Sequence, residues 1–205
     1  MAKINLKPIN KAYMSFTIRG TSPLITHNWD EKSKEMMRQK QQDNKKSKLR
    51  EKRDPERECM AAAYRTDDGQ FGIPGLALKN AIVTAAHKDI GIERTLVRKA
   101  LFLRTSDSNK VLAMTCGEPV MREDMVRVGM GSADLRYRPM WSEWAVDVEF
   151  EVDMDLLQEP DVITLVDRAG FGVGICEWRP EKDGEFGRFE IDKLKPFTTQ
   201  VVSQQ

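Results

Sequence analysis

Two stretches alternate strictly between apolar and polar positions and so predict half-buried strands. In the first, residues 12 to 19, Met14, Phe16 and Ile18 oppose Tyr13 and Ser15. In the second, residues 144 to 152, Trp144, Val146, Val148, Phe150 and Val152 oppose the acidic Asp147, Glu149 and Glu151. Helical spacing takes over between Leu76 and His87, where Leu78, Ile82 and Ala85 or Ala86 share a stripe and Lys79 flanks it. Gly91 closes that helix or lies just beyond it. A second helix begins at Pro160, with Val162, Ile163, Leu165 and Val166 inward, and stops at Gly170. Short apolar runs at Ala100–Leu103 and Phe189–Ile191 read as strands.

The order is therefore strand, helix, strand, strand, helix, strand, the α+β unit of ferredoxin-like and RRM-like folds, βαββαβ. Two polar segments interrupt it within one domain spanning 1–205. Residues 30–58 carry eleven Lys or Arg and eight Asp or Glu with no sustained apolar stripe. They predict an exposed insertion after the first strand, disordered or helical, that does not supply a core face. Residues 105–140 form an excursion between the second and third strands that contains two candidate strands, at Val111–Met114 and Met125–Val128. The tail, 196–205, reads as loose.

Composition narrows the function classes. About a third of the residues are charged, yet the net charge is only +1, so any phosphate-binding surface must arise from local segregation of charge. The three cysteines, Cys59, Cys116 and Cys176, are far apart and form no CxxC pair, which argues against a disulfide framework or a zinc cluster. The N-terminal residues lack a signal-peptide core, and no apolar run reaches membrane-spanning length, so a cytoplasmic protein without membrane contact is expected.

The densest candidate chemistry lies between Gly170 and Phe189. Glycines recur at 170, 172, 174, 184 and 187, among Arg179, Lys182 and Arg188. Glycines admit close backbone approach, and successive exposed amides form a nest for anions such as phosphate. The same pattern also suits a tight turn with ordinary surface charges, and the acidic neighbours Glu177, Glu181, Asp183 and Glu185 oppose phosphate. Lys79 sits one turn into its helix, near an N-terminus that favours anions. Arg136, Tyr137, Arg138 and Trp141 interleave cations with rings, as single-strand binders do; the alternative is a hairpin that folds Tyr137 and Trp141 inward. His27 and His87 are the only histidines, and Asp30 follows the first strand. None of the three has a partner constellation that identifies a catalytic group, and no metal or cofactor is expected.

Ile73-Pro74-Gly75 followed by Leu78-Lys79 and Ala81-Ile82 resembles the start of the first helix in the RAMP superfamily, the backbone subunits of CRISPR effector complexes. Gly184-Glu185-Phe186-Gly187-Arg188-Phe189-Glu190-Ile191, preceded by Gly172 and Gly174, resembles that family's glycine-rich loop running into the last strand. The opening strand with Gly20-Thr21-Ser22-Pro23-Leu24 is similar to its first strand and turn. The resemblance implies an RRM-like core that binds single-stranded nucleic acid, RNA more than DNA. It also implies self-assembly along the strand, possible partnership with other effector-complex subunits, and a thumb in the place of residues 105–140. A phage or mobile-element relative outside any CRISPR complex fits the departures in length and in the Gly174-to-Gly184 spacing. The expectation is a non-enzymatic binder lined by Gly172, Gly174, Gly184, Gly187 and Arg188. An endoribonuclease using His27 or His87, and a structural subunit that touches no nucleic acid, are the other readings.

Overall fold

The computed structural model describes residues 7–29, 53–128 and 132–202. In chain order the first elements are β1 (Lys11–Gly20), β2 (Leu24–Ile25), α1 (Pro55–Ala61), β3 (Tyr64–Arg65), β4 (Phe71–Pro74), α2 (Gly75–Ala85) and α3 (Arg94–Ala100). Then come β5 (Leu101–Arg104), β6 (Val111–Cys116), β7 (Val120–Val128), β8 (Ser132–Trp141), β9 (Trp144–Asp153), α4 (Glu159–Arg168), β10 (Phe189–Ile191) and β11 (Thr198–Val201). The architecture is mixed α+β with antiparallel sheets.

The two alternating stretches are β1 and β9, and they pair with each other along nearly their whole length. The register sets Ala12 opposite Val152, Met14 opposite Phe150, Phe16 opposite Val148 and Ile18 opposite Val146. Because side chains alternate along a strand, this register places every apolar residue on one face. That face joins one core cluster with Leu78 and Ile82 of α2 and Val162, Leu165 and Val166 of α4. Short strands fill the outer edges end to end. On β1 these are β10 and β11, and on β9 they are β5 and β6. The other face carries the polar alternates, where Lys11 pairs with Glu151 at 2.8 Å and Arg104 pairs with Glu149.

The helix starts follow local chemistry. In α4, Pro160 lies in the first turn and Gln158 and Asp161 form a capping box. In α1, Asp54 accepts from the Arg57 amide at 3.1 Å, with Pro55 behind it. Both long helices run on into a π turn, α2 through Ala86–Ile90 and α4 through Ala169–Val173. Gly91 closes the first with φ +82°.

The polar segments fold differently from the sequence expectation. Most of the charged insertion, 30–52, lies outside the described residues; within 53–58, Pro55–Glu58 are helical, in α1, as one of the two expected alternatives has it, and the segment docks on the hairpin. Arg53 pairs with Glu58 at 2.9 Å and Asp134 at 2.8 Å and donates to the Leu135 carbonyl. Within 105–140, β6 belongs to the main sheet beside β4 and β9, and only β7 and β8 form a hairpin, paired from Val120↔Met140 to Val128↔Ser132. The turn residues 129–131 lie outside the described residues. The tail is not loose through residue 202: β11 adds to β1, and Phe197 stacks on Phe16 with ring centroids 5.2 Å apart. Among the described residues, no helix is long and apolar enough to cross a membrane.

Phe197→Ala should cost about 1–3 kcal/mol, from lost apolar burial and the stacked pair. Hydrogen exchange should then become fast in Thr198–Val201 while β9 stays protected. Unchanged protection of those four amides would show that the ring does not anchor the tail.

Candidate nucleic-acid interface

Beyond the π turn, the glycine-rich loop passes Gly174 at φ +68°, a 3-10 turn at Pro180–Lys182, and Gly187 at φ +66° before β10. Most of its amides are spent inside the protein rather than forming a nest. The Gly174 amide donates to Ala169, Ile175 to Gly187, Glu177 to Ile25, Phe186 to Trp178 and Gly187 to Pro23, all at 2.8–3.0 Å. The Arg188 amide donates to Ser22 Oγ at 3.0 Å. The glycines serve that self-packing. A Cβ on Gly184 would sit 1.8 Å from the Trp178 carbonyl oxygen, and one on Gly187 would sit 2.0 Å from that of Ile175. Gly172 is different. A Cβ there would meet only the Asp89 carboxylate, at 3.9 Å, so the chain is open at Gly172, whereas a Cβ on the buried Gly170 would sit 1.9 Å from the Phe189 carbonyl oxygen.

The three cations of the loop separate in the fold. Arg179 is committed, donating to Glu181 at 3.0 Å and to the Cys176 carbonyl at 2.9 Å. Lys182 is exposed and has no ion pair among the described residues. Arg188 likewise lacks a carboxylate partner there, and its guanidinium lies 4.9 Å over the ring of Phe171. Its Nε is buried without a hydrogen bond. Phe171 itself is 73% exposed, between the buried Gly170 and the open Gly172.

The basic-aromatic run is corrected in two of its four members. Arg138 and Trp141 are each 2% exposed and belong to the interior. Trp141 meets Phe71 edge-on at 5.3 Å, so its face is not offered to a base. Arg138 pairs with Asp124 at 3.2 Å and with Glu177 at 3.4 Å, and Asp124 also holds Arg122 at 2.8 Å. This chain of charges binds the hairpin to the glycine-rich loop. Arg136 and Tyr137 stay partly exposed, with Arg53 above the Tyr137 ring at 5.9 Å. Lys79 is turned to the other edge of the sheet, donating to the Arg98 carbonyl at 3.1 Å and lying 4.6 Å over Phe102. Burial, then the nearby Arg98 charge, lowers its pKa. On the polar sheet face Arg104 lies over the Tyr13 ring at 3.8 Å.

A cleft of ≈ 280 Å³ lies between α2 and the Val173–Glu181 part of the loop, and His27 and Tyr64 line it. His27 does not stand out in the sequence, because its neighbours come from β8 and the loop, far along the chain. Arg138 Nε faces His27 Nδ1 at 3.5 Å. That contact favours the neutral ring with its proton on Nε2, which donates rather than abstracts a proton. Burial, then the Arg138 charge, holds the His27 pKa below its ordinary value against the opposing pull of Glu177. Burial pushes the Cys176 thiol in the same cleft up to about 12, so it stays a thiol. His87 is exposed in the π turn after α2, and Asp30 lies outside the described residues. Phe171 was also missed from sequence, where a lone Phe between glycines reads as filling for a turn.

No protein-family model matches this chain, and its sequence matches no curated protein.

Two outcomes follow from this geometry. Gly187→Ala should destabilise by at least about 2–4 kcal/mol, since strain at positive φ adds to a clash with backbone. A denaturation midpoint equal to that of the parent would remove the close packing of the loop. Lowering pH should also cost stability through His27. Its folded pKa lies below the unfolded value of about 6.5, so the unfolded chain binds the proton more readily and stability falls as pH drops below that point. The loss should shrink in His27→Phe, read from urea midpoints at neutral and mildly acidic pH.

Proposed function

We propose that this protein binds single-stranded nucleic acid without cleaving it, RNA in preference to DNA, with copies arranged side by side along the strand. The observation that carries the reading is the Arg188 guanidinium over the exposed Phe171 ring, next to the open Gly172. A ring that accepts the face of any base, beside a cation free to meet a phosphate, supplies the two sequence-independent contacts of single-strand binding. Lys182, exposed on the same loop, adds a second unpaired cation.

The fold supports the same reading. β10, β1, β9 and β5 are antiparallel neighbours, and α2 and α4 share the core with β1 and β9. We read this as the four-stranded ferredoxin-like order of the βαββαβ unit, and the β7–β8 hairpin as a thumb between its second and third strands. A RAMP-type binder is built in that way. The endoribonuclease alternative draws on His27 in the cleft, but a ring held with its proton on Nε2 is a poor general base there.

Phe171→Ala should weaken binding of a labelled oligouridylate by about tenfold, within the 1–3 kcal/mol that base stacking contributes. Arg188→Glu should also lower the slope of log affinity against log salt by at least about 0.7, the loss of one single-strand phosphate contact. Both variants should unfold at the parental temperature. Parental affinity and salt slope in both folded variants would overturn the reading.

A further inference from the structure

The cleft beside α2 is separate from the Phe171–Arg188 surface, and its chemistry differs. Pro74, Ala77, Ala81 and Val173 make apolar walls, and the rings of His27 and Tyr64 close one side. The charged groups at its rim are engaged. Glu177 faces Arg138, and Glu181 is shared between Arg179 and Lys88. The side chains of Asn80 and Thr84, by contrast, line the cleft with no hydrogen-bond partner among the described residues. The site therefore offers an amide, a hydroxyl and apolar surface, and the two carboxylates of its lining are already paired with Arg138, Arg179 and Lys88.

We propose that this cleft takes a nucleobase. A single heterocycle suits the size of the cleft, since a volume under about 300 Å³ is too small for a drug-sized ligand. A side-chain amide such as that of Asn80 can meet a donor–acceptor edge in two hydrogen bonds at once, and Thr84 adds a hydroxyl that donates or accepts. The base has two possible sources: a nucleotide of a bound strand turned out of its stack, or a free nucleoside. The first rests on the single-strand reading given above. Unstacking costs little in a strand that is already single.

The test uses the ¹⁵N-labelled full chain, each of the four free nucleosides, and short oligoadenylate and oligouridylate. At least one nucleoside should shift the amide signals of Asn80, Thr84 and Glu177 at millimolar concentration, and Asn80→Leu should abolish the shifts. For a strand source, Asn80→Leu and Ala77→Phe, which fills the cleft, should each weaken oligonucleotide binding about tenfold. Should Ala77→Phe fail to fold, Asn80→Leu at its exposed helix position carries the same comparison. Oligonucleotide binding with no shift at these three residues, from strand or nucleoside, overturns the cleft proposal and leaves the single-strand reading standing. Nucleoside shifts in a chain that binds neither oligonucleotide support the cleft as a free-nucleoside site and overturn the single-strand reading instead.

Discussion

The structure depends on the backbone lacing of residues 21 to 28, which run between the glycine-rich loop and the hairpin and bond to both. Thr21 donates to the Arg188 carbonyl, Pro23 and Ile25 accept from Gly187 and Glu177, and Thr26 donates to the Pro139 carbonyl at 3.3 Å. Asn28 then donates to the Ala62 carbonyl at 2.8 Å, and Trp144 Nε1 donates to the Ser22 carbonyl at 2.9 Å. Each such bond contributes only about 1 kcal/mol net, but an orphaned buried partner costs about 1–3 kcal/mol. The segment is thus held in one register. The loop can meet it only if its own backbone comes within contact of itself, which is why Gly184 and Gly187 lack side chains.

The same braid sets the electrostatics. With Glu177 fixed by the hydrogen bond its amide donates to the Ile25 carbonyl, its carboxylate reaches Arg138 on the hairpin, and Arg138 in turn faces His27. A buried arginine between two carboxylates adds little stability over an apolar replacement, yet losing one partner leaves an uncompensated charge. The network therefore fixes where the hairpin base stands more than it stabilises the fold. It also draws charge away from the surface. Of the loop's three cations, only Lys182 and Arg188 remain for a ligand.

Elements with a strong period were legible in the sequence. The alternations of β1 and β9 and the stripes of α2 and α4 each encode a buried face by themselves, so no distant partner is needed to read them. β11 was not legible, because Thr198–Val201 is short and mostly polar and is held by Phe197 reaching Phe16 across the chain. The site was legible only in outline. The sequence marked the glycine-rich loop, but a glycine that admits a ligand and one that admits another backbone look alike. Arg138 and Trp141 were misread for a related reason. Alternation along β8 says that two faces exist, whereas the burial of both residues depends on Asp124, Glu177 and Phe71.

The filling of the central strands has a consequence for how copies can meet. A long unpaired strand edge is a template for indiscriminate pairing with other chains. Here β1 and β9 are each closed on both sides, and the strands that close them run only three to six residues. Among the described residues, β7, nine residues on the outer side of the hairpin, is left with an open side. It carries both signs of charge, in Arg122, Glu123 and Arg127. Such mixed charge permits a neighbour only in a matching register, so the hairpin's outer side discourages fibre-like stacking while leaving an ordered approach open.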